Sequence, residues 1–275
     1  MSKEDRQVES IKEYYIAYFE RQREVIQVSR LVERRRERKK CGNGMIRAVI
    51  FDLDDTLYGY GELDREARGR VREYTCGKLG IAERVYDEAY AYGRGETKRQ
   101  LGDVAASHNR LLYCQKTLEY LGVNPMPLAL RMYEIYWGTF LEKMQVFNGV
   151  REFMDCMHAH GITMMICTDL TAHIQHRKIE ALGIADDIKY LVTSEEAGRE
   201  KPAPEMFALC LKKLNMKAEE VCYIGDSLVK DVEGAAAAGM YAVQFYPERS
   251  SAEQYESIAD RIMRGKAANS NKYST

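Results

Sequence analysis

The chain of 275 residues contains no apolar run approaching the roughly 20 residues that a membrane helix needs. It has almost no net charge, −1 from 41 basic and 42 acidic residues, so composition gives no reason to expect a nucleic acid or a membrane surface as partner. Seven cysteines are present, at 41, 76, 114, 156, 167, 210 and 222. Their number is odd, they are dispersed, and no C-x-x-C occurs, which fits reduced thiols in a cytoplasmic protein rather than a disulfide framework. No histidine or cysteine cluster suits zinc, and no histidine follows a strand end as a Ser-His-Asp triad would need. There is no Gly-x-x-x-x-Gly-Lys phosphate loop. The polar, charged N-terminus does not read as a secretory signal.

What is present concentrates in Phe51-Asp52-Leu53-Asp54-Asp55-Thr56-Leu57. The apolar run before it, from Ile46, reads as a buried strand. Three carboxylates therefore stand where a strand ends, and like charges that close repel unless something compensates. A divalent cation is one compensation, since hard cations take carboxylate oxygens. A polar turn capped by Thr56 is the alternative from this segment alone.

Residues 1–44 read as a charged, amphipathic helix, a basic block at Arg34 to Lys40 and a Gly-rich linker. Such a segment suits a loosely docked helix or a homodimer contact; the glutamates at 33 and 37 weaken its reading as a basic arm for nucleic acid or acidic lipid. Residues 60–146 look almost wholly helical. After Gly149, helices alternate with short apolar strands at 162–167, 190–193, 221–224 and 241–245. That alternation implies an α/β fold with a doubly wound, Rossmann-like parallel sheet. Its first strand precedes the helical block, which is therefore inserted into the sheet domain after that strand. The expected domains are 1–44, a core of 45–59 and 147–264, a cap of 60–146 and a frayed tail of 265–275.

Ligands of open parallel sheets bind beyond the carboxyl ends of the strands. Beyond the first lie Asp52, Asp54 and Asp55. Thr168 and Asp169 follow the second, Lys201 the third, and Gly225-Asp226-Ser227 with Asp231 the fourth. Carboxylates with one lysine and one hydroxyl suit a magnesium ion and a phosphoryl group.

These four segments resemble, in order and spacing, the four motifs of the haloacid dehalogenase superfamily across residues 45 to about 248. FDLDDTL is similar to its Asp-x-Asp-x-Thr motif, and ICTD to its second. Lys201-Pro202 matches the third and Gly225-Asp226-Ser227 with Asp231 the fourth. The inserted helices resemble the cap of the family's first subclass; residues 1–40 lie outside the resemblance. What it implies is a Mg2+-dependent hydrolase with Asp52 as nucleophile and Asp54 as general acid and base. It also implies phosphoryl binding by Thr168, Asp169 and Lys201, and metal binding by Asp52, Asp54 (through its backbone carbonyl), Asp226 and Asp231.

An aspartate at 54 implies an oxygen leaving group that needs a proton, hence a phosphatase, with a beta-phosphoglucomutase-like phosphomutase as the alternative on the same core. A third reading is a regulatory protein with a vestigial site. The whole chain looks most like the acylneuraminate-9-phosphatase and nucleotidase-type branch, whose substrates are small phosphorylated metabolites. Lys98, Arg99, His108, Asn109 and Arg110 in the cap are the expected specificity residues.

Overall fold

The computed structural model describes residues 45–270. The N-terminal helix and its homodimer role, expected within 1–44, lie outside the described residues, as do residues 271–275. Five strands, β1 (Ala48–Phe51), β2 (Thr163–Thr168), β3 (Tyr190–Thr193), β4 (Val221–Gly225) and β5 (Tyr241–Gln244), form one sheet in the order β3-β2-β1-β4-β5. All neighbours are parallel, with Phe51 level with Ile166 on one side and Ile224 on the other.

The strands are short and apolar because both faces are covered, and side chains alternate between the two. Val49, Phe51, Met164, Ile166, Cys222 and Ile224 enter one core. Ala48, Ile50, Met165, Cys167, Val221 and Tyr223 enter the other. Helices α5 (Val150–Ala159) and α6 (Ala172–Ala181) contribute Phe153, Met157, Ile174 and Ile179 to the first core. Helix α7 (Pro204–Leu214) brings Met206, Phe207 and Cys210 to the second.

A closing helix, α8 (Ser251–Ser270), has no counterpart among the expected elements and runs past the core boundary expected at 264. Tyr255, Ile258 and Ile262 give it a buried face, and the Tyr255 hydroxyl donates to the Thr56 carbonyl at 2.8 Å. That bond ties the last helix to the loop after β1.

The cap is helical as expected: α1 (Tyr60–Leu79), α2 (Glu83–Leu101), α3 (Arg110–Tyr120) and α4 (Ala129–Glu142), with one 3-10 turn, Ala105–His108. Tyr136, Trp137 and Phe140 of α4 are buried and share one continuous core with the β1 face of the sheet. The two linkers between cap and core run side by side, Phe147 donating its N–H to the Leu57 carbonyl at 2.8 Å. The cap therefore sits directly over the ends of β1 and β2.

Candidate active site

Asp52 begins where β1 stops, its N–H still bonded to the Ile224 carbonyl at 2.8 Å. Its carboxylate meets Lys201 Nζ at 2.7 Å, and the same Nζ reaches Asp231 Oδ1 at 2.6 Å. Asp231 is wholly buried. Its segment opens with a π-helical turn, Leu228–Glu233. The wide turn aims Asp231 inward, where Oδ2 accepts the Ser227 N–H at 3.0 Å. Gly225 makes room for it, since any Cβ there would collide with the Asp231 carboxylate.

Asp52, Asp226 and Asp231 each present one carboxylate oxygen, all within 4.8 Å of one another. Lys201 is the single ammonium inside this trio. Burial, followed by the charges of Asp231 and Asp55, pushes the Asp226 carboxyl up to about 6. Burial also pushes Asp52 up, against the pull of Lys201. A site short of positive charge and made of hard oxygen donors fits a divalent cation.

The Asp54 side chain stands outside the trio. It accepts from Lys178 Nζ at 2.8 and 2.9 Å and from the Tyr58 hydroxyl at 2.6 Å. Lys178, on α6, is wholly buried. The rings of Tyr58, Tyr60, Trp137 and Phe140 surround its ammonium at 5.5–5.8 Å. Burial holds this lysine below its usual range, and Asp54 opposes that shift. The carboxylate is thus fixed in orientation by one group of the core and by aromatic walls shared with the cap. Asp55 has no partner in this set; it adopts φ 56° and accepts the Tyr60 N–H at 2.8 Å, shaping the turn into α1.

At the end of β2 the Thr168 hydroxyl accepts from the buried Gln175 amide at 2.7 Å. Asp169, expected among the phosphate-binding residues, stands beside Thr168 on the same cavity. Its carboxylate accepts from the Lys201 N–H at 3.0 Å and from Lys230 Nζ at 2.8 Å. Asp169 thereby fixes the backbone that carries Lys201. Lys230 also reaches Glu200 at 3.3 Å, and Glu200 takes His108 Nε2 at 2.8 Å. His108 belongs to the cap, so this chain of charges spans cap and core.

These groups line one cavity of about 350 Å³. Asp52, Asp54, Thr168, Asp169, Lys201, Asp226 and Asp231 all border it. Of the expected specificity residues, Lys98, His108 and Arg110 border it too. Two do not. Arg99 points outward and pairs with Glu96 at 2.7 Å, and Asn109 caps α3 by accepting the Leu111 N–H at 2.9 Å. Sequence reasoning missed Lys178, Lys230 and Arg94, which also line it. Arg94 had a readable signal, lying four residues before Lys98 on one helix face. A larger cavity of about 740 Å³, bordered by Phe147, Phe153 and Tyr255, includes none of the strand-end residues.

A family model described as haloacid dehalogenase-like hydrolase matches residues 46–239. The chain belongs to this family. Its relatives include a ribulose-1,5-bisphosphate 5-phosphatase of Halopiger xanaduensis, 39% identical over 75% of this chain and 87% of the relative. A glyceraldehyde 3-phosphate phosphatase of Methanopyrus kandleri is 32% identical over 73% of this chain and 84% of its own. The N-acylneuraminate-9-phosphatase of Rattus norvegicus, from the branch that the sequence resembles, is 26% identical over 73% and 82%. Among solved structures, a 2-haloacid dehalogenase from Pseudomonas syringae superposes with TM-score 0.61 at 21% identity, over 79% of this chain and 100% of that one. That last likeness concerns the fold. The haloacid dehalogenase-like chain described here is an enzyme, a phosphatase acting on phosphorylated substrates.

Proposed function

We propose that the protein is a magnesium-dependent phosphomonoesterase that works through an aspartyl-phosphate on Asp52, with a small phosphorylated sugar as substrate. The observation that carries this reading is the convergence of the Asp52, Asp226 and Asp231 carboxylates with Lys201, Thr168 and Asp54 on one cavity. Asp52 attacks phosphorus while the ester oxygen leaves, and Asp54 gives that oxygen a proton. Water then attacks the phosphorus of the aspartyl-phosphate and passes its proton to Asp54. The bond to Asp52 breaks, which restores the carboxylate and releases phosphate. Thr168 and Lys201 bind the phosphoryl oxygens throughout. The Asp52, Asp226 and Asp231 carboxylates, with the Asp54 backbone carbonyl, would hold Mg2+, whose contribution is to neutralise phosphoryl charge. Lys178 and Tyr58 position Asp54 for both proton transfers.

Ribulose 1,5-bisphosphate is the first compound to assay, because the Halopiger relative carries its name; glyceraldehyde 3-phosphate is the second. The phosphatases among the relatives favour hydrolysis over phosphomutase chemistry. A cytoplasmic setting agrees with the free cysteines, six among the described residues, and no helix among those residues is long and apolar enough to cross a membrane. The test is phosphate release from a panel of sugar and acylneuraminate phosphates with Mg2+ and with a chelator. Release that needs Mg2+ supports the reading. No release from any compound, or interconversion of hexose phosphates without release, removes it.

A further inference from the structure

The charges around the cavity do not balance locally. On the core side every lysine has an acid: Lys201 holds Asp52 and Asp231, Lys178 holds Asp54, and Lys230 holds Asp169 and Glu200. On the cap side Arg68 is held by Asp64 at 2.9 Å. Arg94, Lys98 and Arg110 also line the cavity, and none of them makes an ion pair with an acid among the described residues.

The three concentrate positive charge on one side of the cavity. Arg94 and Lys98 lie four residues apart on α2, where like charges repel. Burial, then the charge of Arg94, holds the Lys98 ammonium below its usual range, against the pull of Glu200. Arg110 is only 9% exposed. It donates to the His108 carbonyl at 2.6 Å and to the Tyr60 hydroxyl, and it faces the rings of Tyr113, Tyr136 and Trp137 at 5.4–5.7 Å. These oxygens and rings hold the guanidinium in its charged form against the cost of burial, with no carboxylate paired to it. The three are also held rigidly together. Helix α2 meets α3 so closely at Gly93 that a Cβ would lie 2.7 Å from the Tyr113 carbonyl.

We propose that Arg94, Lys98 and Arg110 form a second phosphate subsite, so that the substrate is a sugar bisphosphate. One phosphate reacts at Asp52 and the other is held by the cap. This rests on the phosphatase reading and deepens it. Three cations, two of them guanidinium forks, suit a phosphate dianion better than a single carboxylate charge.

The test is calorimetric binding to the full-length Asp52→Asn chain in Mg2+, which reads affinity without turnover. Two matched pairs are compared, ribulose 1,5-bisphosphate with ribulose 5-phosphate, and fructose 1,6-bisphosphate with fructose 6-phosphate. In at least one pair the bisphosphate binds about 100-fold more tightly, as expected for two charge-assisted contacts. Adding Arg94→Met and Lys98→Met, both exposed positions, collapses that ratio to a few-fold. Equal binding within both pairs, or a ratio unchanged by the double substitution, overturns the subsite. If 3-phosphoglycerate binds as tightly as the preferred bisphosphate, the subsite takes carboxylates and the bisphosphate assignment is wrong. Turnover by the wild-type chain is measured separately. Absence of phosphate release with the binding ratio intact removes the phosphatase reading and leaves the subsite standing.

Discussion

The strand ends and the cap face each other across one cavity and carry opposite surpluses. At the strand ends three carboxylates share one lysine, and the deficit is of positive charge. In the cap, Arg94, Lys98 and Arg110 lack acids among the described residues, and the deficit is of negative charge. A phosphorylated substrate with a divalent cation answers both at once. The two sides also differ in how they are built. The strand-end groups stand on loops and turns that leave a sheet buried on both faces, with Asp52 and Asp226 one residue past β1 and β4. The cap groups stand on helices whose rotation and spacing decide which side chains look inward. Reaction type is therefore a property of the rigid side, and substrate choice of the side that varies with helix packing.

The comparison is broken most severely from the core. Asp52→Asn removes the nucleophile and lowers kcat by about 10⁴-fold or more, while far-ultraviolet circular dichroism stays that of the wild type. Asp54→Asn follows, with kcat down about 10²–10⁴-fold on an alkyl phosphate. Its loss is much smaller on p-nitrophenyl phosphate, whose leaving group needs little protonation. Equal losses on the two esters would deny Asp54 its proton-transfer role.

A change inside the cap acts on stability instead. Gly93→Val forces a side chain against the Tyr113 backbone and the Thr117 side chain, both within 3 Å of a Cβ at that position. It lowers unfolding free energy by about 1–3 kcal/mol in denaturant titration, as overpacking does. The smallest effect is expected at Arg99→Ala. Arg99 lies on the outer face of α2 beside Glu96, so kcat/KM on any accepted substrate changes by less than about twofold, the range of an exposed ion pair.

Residues differ in how legible they are from sequence for physical reasons. β3 has the bounds that its short apolar run announces. Asp52, Thr168 and Asp226 follow directly, as each sits at the end of a strand or one residue past it. Lys178 was illegible. Its neighbours Arg177 and Glu180 suggest a solvated helix face, and it is buried only because aromatic residues from α4 and the β1 loop close over it. Arg99 and Lys98 differ by one residue, which on a helix is a turn of about 100°, so one lines the cavity and the other does not. Among its described side chains, helix α8 carries three buried apolar ones, Tyr255, Ile258 and Ile262, between many charges, a faint signal for periodicity. The π-helical turn that aims Asp231 has no compositional signature in its six residues.

The central claim is that phosphate passes through the carboxylate at the end of β1. It is tested by quenching the wild-type enzyme during turnover in Mg2+, reducing with borohydride, and sequencing the peptides by mass spectrometry. An aspartyl-phosphate is reduced to homoserine, and the account predicts that conversion at position 52 alone, dependent on both substrate and Mg2+. Substrate turnover with no conversion at Asp52, or conversion at another aspartate, would contradict it.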